Sequence, residues 1–242
     1  MEFYANEGKR VEIKVGERTF ARHAIKTHFV QLGEDYIDLI RKYVVPVYQP
    51  GDLVSISEKV ISLCQRRVVY EDDVRPSLLA RFLCRFVHTS AAGPGLSIPY
   101  KMQFAINQRG AFRVLWAAVA AGVGKLVGKK GVFYDMLGME VSGLDGFYGD
   151  DNKEYAHMGI MIPDRPDEVC DEILEKTGVA AMIVDANGLS VDILGHASAV
   201  KEDVAALVGM IKDNPAGQMR QFTPLILIRE TTAVPAAPAV SV

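Results

Sequence analysis

The sequence predicts a mixed α/β (α+β) fold, a mixed sheet with flanking helices, on three observations. Residues 167–176 place Val169, Cys170, Ile173 and Leu174 on one helical face and acids on the other, and Gly178 then closes the helix. Ala180-Ala181-Met182-Ile183-Val184 follows as a buried strand that leaves into Asp185-Ala186-Asn187-Gly188, and this helix, turn, strand, polar-exit order is the syntax of α/β proteins. Pro50-Gly51-Asp52 supplies a turn, and the β-branched run behind it reads as a second buried strand that delivers Ser57, Glu58 and Lys59 to its end. Near the N-terminus, Val11, Ile13 and Val15 alternate with Glu12, Lys14 and Gly16, the period of a half-buried strand, with a hairpin turning at Gly16-Glu17.

The remaining elements follow in order. Residues 34–44 read as a helix, because acids come early and bases late, as the helix dipole prefers. Pro76-Ser77 opens a stretch in which Leu78, Leu79, Phe82, Leu83 and Phe86 recur at helical spacing until 91–95, where glycine and proline break it. Residues 100–107 are ambiguous between helix and strand. Residues 114–122 read as a buried helix with Trp116 in the core, and the glycine-rich, basic stretch 124–131 reads as an exposed loop. Residues 202–211 form a further helix and 225–228 a further strand. The expected organisation is one domain over 1–230 and a frayed tail over 231–242, whose Ala, Pro and Val lack the periodicity to pack.

Composition narrows the function classes. The chain has 242 residues, 49% of them hydrophobic, enough for a substantial core. A formal charge of -3 argues against a protein that coats nucleic acid, since phosphate affinity needs a basic excess. The longest apolar run, 114–123, is about half of what a bilayer span requires, so no membrane partner is expected. Cys64, Cys84 and Cys170 are an odd number without CxxC spacing, and no secretory signal is visible at the N-terminus; a reducing cytoplasm is the expected location. No nucleophile elbow, dinucleotide fingerprint or kinase signature occurs, and His157 and His196 lack a partner at metal-ligand spacing.

Two stretches carry a family resemblance. Gly51 to Ser62, leading to Arg66 and Arg67, is similar to the "GD-hydrophobic-S/x-K-hydrophobic-S" segment of the F420-0:gamma-glutamyl ligase family, and Ile183-Val184-Asp185-Ala186-Asn187-Gly188 resembles that family's "D-T-x-G" motif. Leu144-Asp145-Gly146 looks like its "A-G-I-D" segment, and 207–229 like its closing segment, in which an acid falls at Asp213. The resemblance covers roughly residues 22–70 and 140–230. It implies that Asp145, Asp185 and Asp213 bind Mg2+ or Mn2+, hard cations that suit carboxylate oxygens. It further implies that Lys26, Thr27, Glu58, Lys59 and Asn187 contact nucleotide, with Lys59 the catalytic cation.

The activity that the resemblance implies is a GTP-dependent ligation of L-glutamate to a carboxylate acceptor such as coenzyme F420-0, through an acyl phosphate, in a homodimer. Three departures from the family pattern stand out: Leu63 replaces a lysine, Ala186 replaces a threonine, and Tyr148 falls at an asparagine, with Asp150, Asp151 and Asn152 close by. These departures, with a shortened segment between Gly195 and Lys201, motivate a second expectation: a non-catalytic paralogue that binds a nucleotide or small metabolite.

Overall fold

The computed structural model describes residues 2–87, 95–129, 131–147, 157–187, 190–217 and 221–231. The expected tail, and Tyr148, Asp150, Asp151 and Asn152, lie outside these apart from Thr231. The fold is mixed α/β, as the order of elements predicts. Contacts divide the chain into two compact units, residues 1–61 with 165–242 and residues 62–164.

The first unit is built on six strands: β1 (Glu12–Val15), β2 (Arg18–Ile25), β3 (Leu53–Ser57), β7 (Ala181–Ala186), β8 (Val191–His196) and β9 (Leu225–Glu230). Their order is β1-β2-β9-β3-β7-β8; β3 and β7 pair in parallel and every other neighbour pair is antiparallel. The β1–β2 hairpin turns at Gly16, whose φ of 60° is the left-handed conformation a tight turn asks of glycine. Alternation along the central strands sends side chains to two apolar faces. Leu53, Met182, Val184, Ile226 and Ile228 meet Leu207, Met210 and Ile211 of α9 (Val204–Ile211) in one core. On the opposite face, α8 (Pro166–Thr177) packs on β7 and β8 and also meets α1 (Tyr36–Tyr43).

Central strands buried on both faces explain why they read as continuous apolar runs. Val54, Ile56, Met182 and Ile183 have no exposed surface, and each such side chain contributes about 1.5–3 kcal/mol of burial. The helices are capped by their own sequence. Asp35 accepts from the Ile37 N–H at 2.7 Å, Asp203 accepts from the Ala206 N–H at 2.7 Å, and Gly178 ends α8 at φ 73°.

The second unit holds a three-stranded sheet, β4 (Val68–Tyr70), β6 (Met158–Ile160) and β5 (Asp145–Gly146), and a helical cluster. In that cluster α3 (Leu78–Leu83), α4 (Pro99–Arg109), α5 (Ala111–Leu126), α6 (Val132–Leu137) and α7 (Met139–Ser142) surround Ala80, Leu96, Met102, Ala105, Val114, Ala117 and Leu137.

Ser57-Glu58-Lys59 leaves a strand, as the sequence reads, and Glu58 and Lys59 open a helix, α2 (Glu58–Cys64). One ambiguity is resolved and two expectations need correction. Residues 100–107 belong to α4, and 124–126 extend α5 instead of forming a loop. Trp116 is not a core residue: it is 60% exposed, and α5 buries only Val114, Ala117 and Gly124. An apolar helix that meets neighbours along one face leaves its other apolar side chains outside, and hydrophobicity alone does not reveal which side that is.

Candidate functional site

The register of the six-stranded sheet brings most of the sequence-predicted residues to one edge. Ile25 of β2 and Ile56 of β3 both pair with Leu225 of β9, and Ser57 of β3 pairs with Val184 of β7. Strands β2, β3 and β7 therefore run in one direction and end together, where β9 begins. Lys26 and Thr27 follow β2, Glu58 and Lys59 follow β3, and Asp185 and Asn187 end β7. At about 4.8 Å per strand, these positions span about 14 Å of sheet edge. The carboxyl edge of parallel strands is where open α/β sheets hold ligands.

Local chemistry differs along that edge. Lys26 is exposed, whereas Thr27 is buried, its N–H donated to the Phe222 carbonyl at 2.8 Å and its hydroxyl to the His28 carbonyl at 2.8 Å. His28 sits between Tyr43, 2.6 Å from Nδ1, and Glu34, 2.8 Å from Nε2. Burial pushes the Glu34 carboxyl up, but the Gln31 N–H and His28 outweigh it and hold the group below its usual range. Glu58 is 7% exposed, so this carboxylate is withdrawn from bulk water.

Asp185 and its neighbours divide between the two faces of the sheet. Val184 and Ala186 line a small cleft with Ser55, Ser57, Asn214 and Pro224, about 50 Å³ in volume. That holds a water or two, well short of the roughly 300 Å³ at which ligand pockets begin. By alternation Asp185 faces the other way, on the α8 side, where it is directly opposite Asp192 of β8 in the ladder. Asp192 is not among the sequence candidates. Its signal is Asn187-Gly188, a dipeptide favoured in hairpin turns; β8 pairs with β7 and sets a second carboxylate against the first.

Asp213 lies in the turn after α9. Asn214 ties that turn to the site by donating from Nδ2 to the Ala186 carbonyl at 3.1 Å. The Asp213 carboxylate itself is engaged by Arg22, which is 2% exposed and donates through Nη1 and, at 3.0 Å, Nη2. Burial raises the Asp213 pKa, but the Arg22 hydrogen bonds and charge prevail and hold it below the usual carboxylate range. Asp145 belongs to the second unit, where it pairs with Ile160 and accepts from the Gly146 N–H at 2.8 Å. Leu63, where the resemblance expects a lysine, is 4% exposed and packs as an ordinary core residue.

Among the described residues no three His, Cys, Asp or Glu side chains form a ready metal cage. Mg2+ does not require one, because it is normally held by one or two carboxylates together with phosphate oxygens and waters. The Asp185 and Asp192 carboxylates fit that donor set. Neither a protein-family model nor a curated protein matches the chain.

Proposed function

We propose that the chain is a nucleotide- and divalent-metal-dependent amide-forming ligase, which adds glutamate or a similar amino acid to a carboxylate acceptor of the F420-0 type with GTP as co-substrate. The observation that carries this reading is the gathering of Lys26, Thr27, Glu58, Lys59, Asp185 and Asn187 at one edge of the sheet, through the shared end of β2, β3 and β7. The cleft beside Ser57 is too small for a nucleotide, so the triphosphate lies along the strand ends.

In this reaction an acceptor carboxylate oxygen attacks the γ-phosphorus and GDP leaves, giving an acyl phosphate. The amine of the incoming amino acid then attacks the acyl carbon, loses a proton, and phosphate departs. Lys59 places fixed positive charge beside the phosphoryl oxygens. Asp185, with Asp192 opposite, supplies oxygen ligands for Mg2+ or Mn2+; the ion, when bound, neutralises phosphate charge.

A second reading, nucleotide binding without ligation, is favoured by two specific observations: Leu63 is buried, and Asp213 is taken by Arg22. Calorimetric titration of GTP with and without Mn2+, followed by a glutamate-dependent phosphate-release assay with a deazaflavin acid as acceptor, separates the two. Mn2+-dependent binding with phosphate release supports the ligase; binding without release supports the second reading; no binding removes both. Asp185→Asn is expected to abolish metal-dependent turnover while leaving the melting transition in place.

A further inference from the structure

Helix α5 carries an apolar stripe that faces solvent. Phe112 (83% exposed), Leu115, Trp116, Val119, Val123 and Leu126 (87% exposed) recur at spacings of three and four, so at 100° per residue they fall within an arc of about 100°. The buried residues of the same helix, Val114, Ala117 and Gly124, occupy the opposite side and hold it to the helical cluster. The stripe is therefore not an undocked inner face: the helix is already packed, and its most apolar side is the outer one. Helix α3 repeats the pattern, burying Ala80 and Leu83 and exposing Leu78 and Phe82, with Phe86 just beyond it.

Charge indicates what covers such a surface. The chain as a whole is acidic, at -3, yet between Asp73 and Asp135 it contains nine Lys and Arg residues and no Asp or Glu. Of these, Arg81, Arg85, Arg113, Lys125 and Lys129 are exposed on or beside the two helices. Apolar side chains of this size call for a hydrocarbon counter-surface, and the exposed Arg and Lys side chains beside them call for an anionic one. A nucleic acid meets only the second requirement, and the same face of a second copy would set basic residues against basic residues. An anionic lipid bilayer meets both.

Sixteen residues make α5 about 24 Å long, short of the roughly 30 Å hydrocarbon core. No helix among the described residues is long and apolar enough to cross a membrane. We propose that α5 lies in the plane of an anionic membrane surface, with Phe112, Leu115, Trp116, Val119, Val123 and Leu126 in the acyl boundary and the neighbouring Arg and Lys side chains at the headgroups. This assignment is independent of the ligase reading.

Trp116 is the chain's single tryptophan, which makes the test direct. The full chain is mixed with vesicles of phosphatidylcholine alone or of phosphatidylcholine and phosphatidylglycerol in equal parts, and Trp116 emission and co-sedimentation are followed. The expected result is a blue shift and sedimentation with the anionic vesicles only, reversed by high salt. Val119→Asp and, separately, Leu126→Glu are expected to weaken binding by at least about tenfold without changing the circular dichroism, because both side chains are outside the core. Arg113→Glu combined with Lys129→Glu is expected to weaken binding similarly while leaving the apolar stripe intact. Absence of binding to anionic vesicles overturns the proposal, and so does equal binding to neutral ones. A vesicle-independent blue shift that grows with protein concentration and is removed by Val119→Asp overturns it in favour of a second copy of the chain.

Discussion

Asp185 of β7 and Asp192 of β8 are direct partners in an antiparallel ladder, two carboxylates on one face of the sheet. Like charges opposite one another destabilise a ladder by up to about 1 kcal/mol, and a divalent cation between them reverses the sign. Asp192→Asn is therefore expected to raise the melting temperature by a few degrees in chelator and to lose the stabilisation that Mn2+ gives the unmodified chain. Thermal melts with and without Mn2+ check this. A melting temperature that Mn2+ leaves unchanged in the unmodified chain would sink the carboxylate pair as a metal site.

Arg22 and Asp213 pair a buried cation with a half-buried carboxylate in the first unit: the guanidinium is 2% exposed and also donates to the Met210 carbonyl at 3.1 Å and the Arg10 carbonyl at 2.7 Å. Removing the counter-charge leaves a buried cation. Asp213→Asn is expected to cost about 2–3 kcal/mol, below the range of a fully buried pair because the Asp213 side chain keeps 36% of its surface in water. The Asp213 pKa is depressed on folding, so its contribution is present above the unfolded value, near 3.8, and is lost as pH falls through the folded one. Urea unfolding of both chains at neutral and acid pH is expected to show the difference shrinking below about pH 4. A variant as stable as the parent at pH 7 would contradict this account.

Much of the first unit was legible in the sequence because its strands are buried on both faces and its turns are marked. β3 was bounded by Pro50-Gly51-Asp52 and a β-branched run, β7 by Gly178 and Asp185, and both are where those signals put them. Their convergence at one edge was not legible, since it depends on β9, from the far end of the chain, pairing with both β2 and β3. β8 was missed because Val191, Ile193 and Leu194 give a short, half-buried pattern that a bulge interrupts opposite Ile183 and Val184. The exposure of Trp116 is not legible for a different reason: α5 is apolar on both its packed and its open side, so periodicity carries no sign.

Asn214 holds the cleft together from a strained position. It is 3% exposed at φ 48°, and its Nδ2 donates to the carbonyls of Ala186 at 3.1 Å and Gly217 at 3.3 Å. Asparagine tolerates left-handed backbone better than other β-carbon residues. Asn214→Ala loses both bonds and pays the conformational cost, an expected destabilisation of about 2–3 kcal/mol, whereas Asn214→Gly loses the bonds but recovers about 1 kcal/mol of it. Chemical denaturation of the pair checks the ordering. Equal losses would mean that the backbone conformation contributes nothing.

The three cysteines differ in burial, and their reactivity is expected to follow. Cys170 has no exposed surface on α8; burial first, then the charges of Asp167 and Asp171, push its thiol up to about 12, so almost no thiolate is present at neutral pH. Cys84 is 7% exposed in the second unit, and Cys64 on α2 is the most accessible of the three. Titration with a disulfide reagent at pH 8 is expected to label Cys64 first in the native protein and to reach Cys84 and Cys170 only as denaturant unfolds the chain. Because Cys84 and Cys170 sit in different units, the denaturant dependence of the two also reports whether the units open together. Rapid native labelling of Cys170 would show that α8 opens locally, and with it the face of the sheet that carries Asp185.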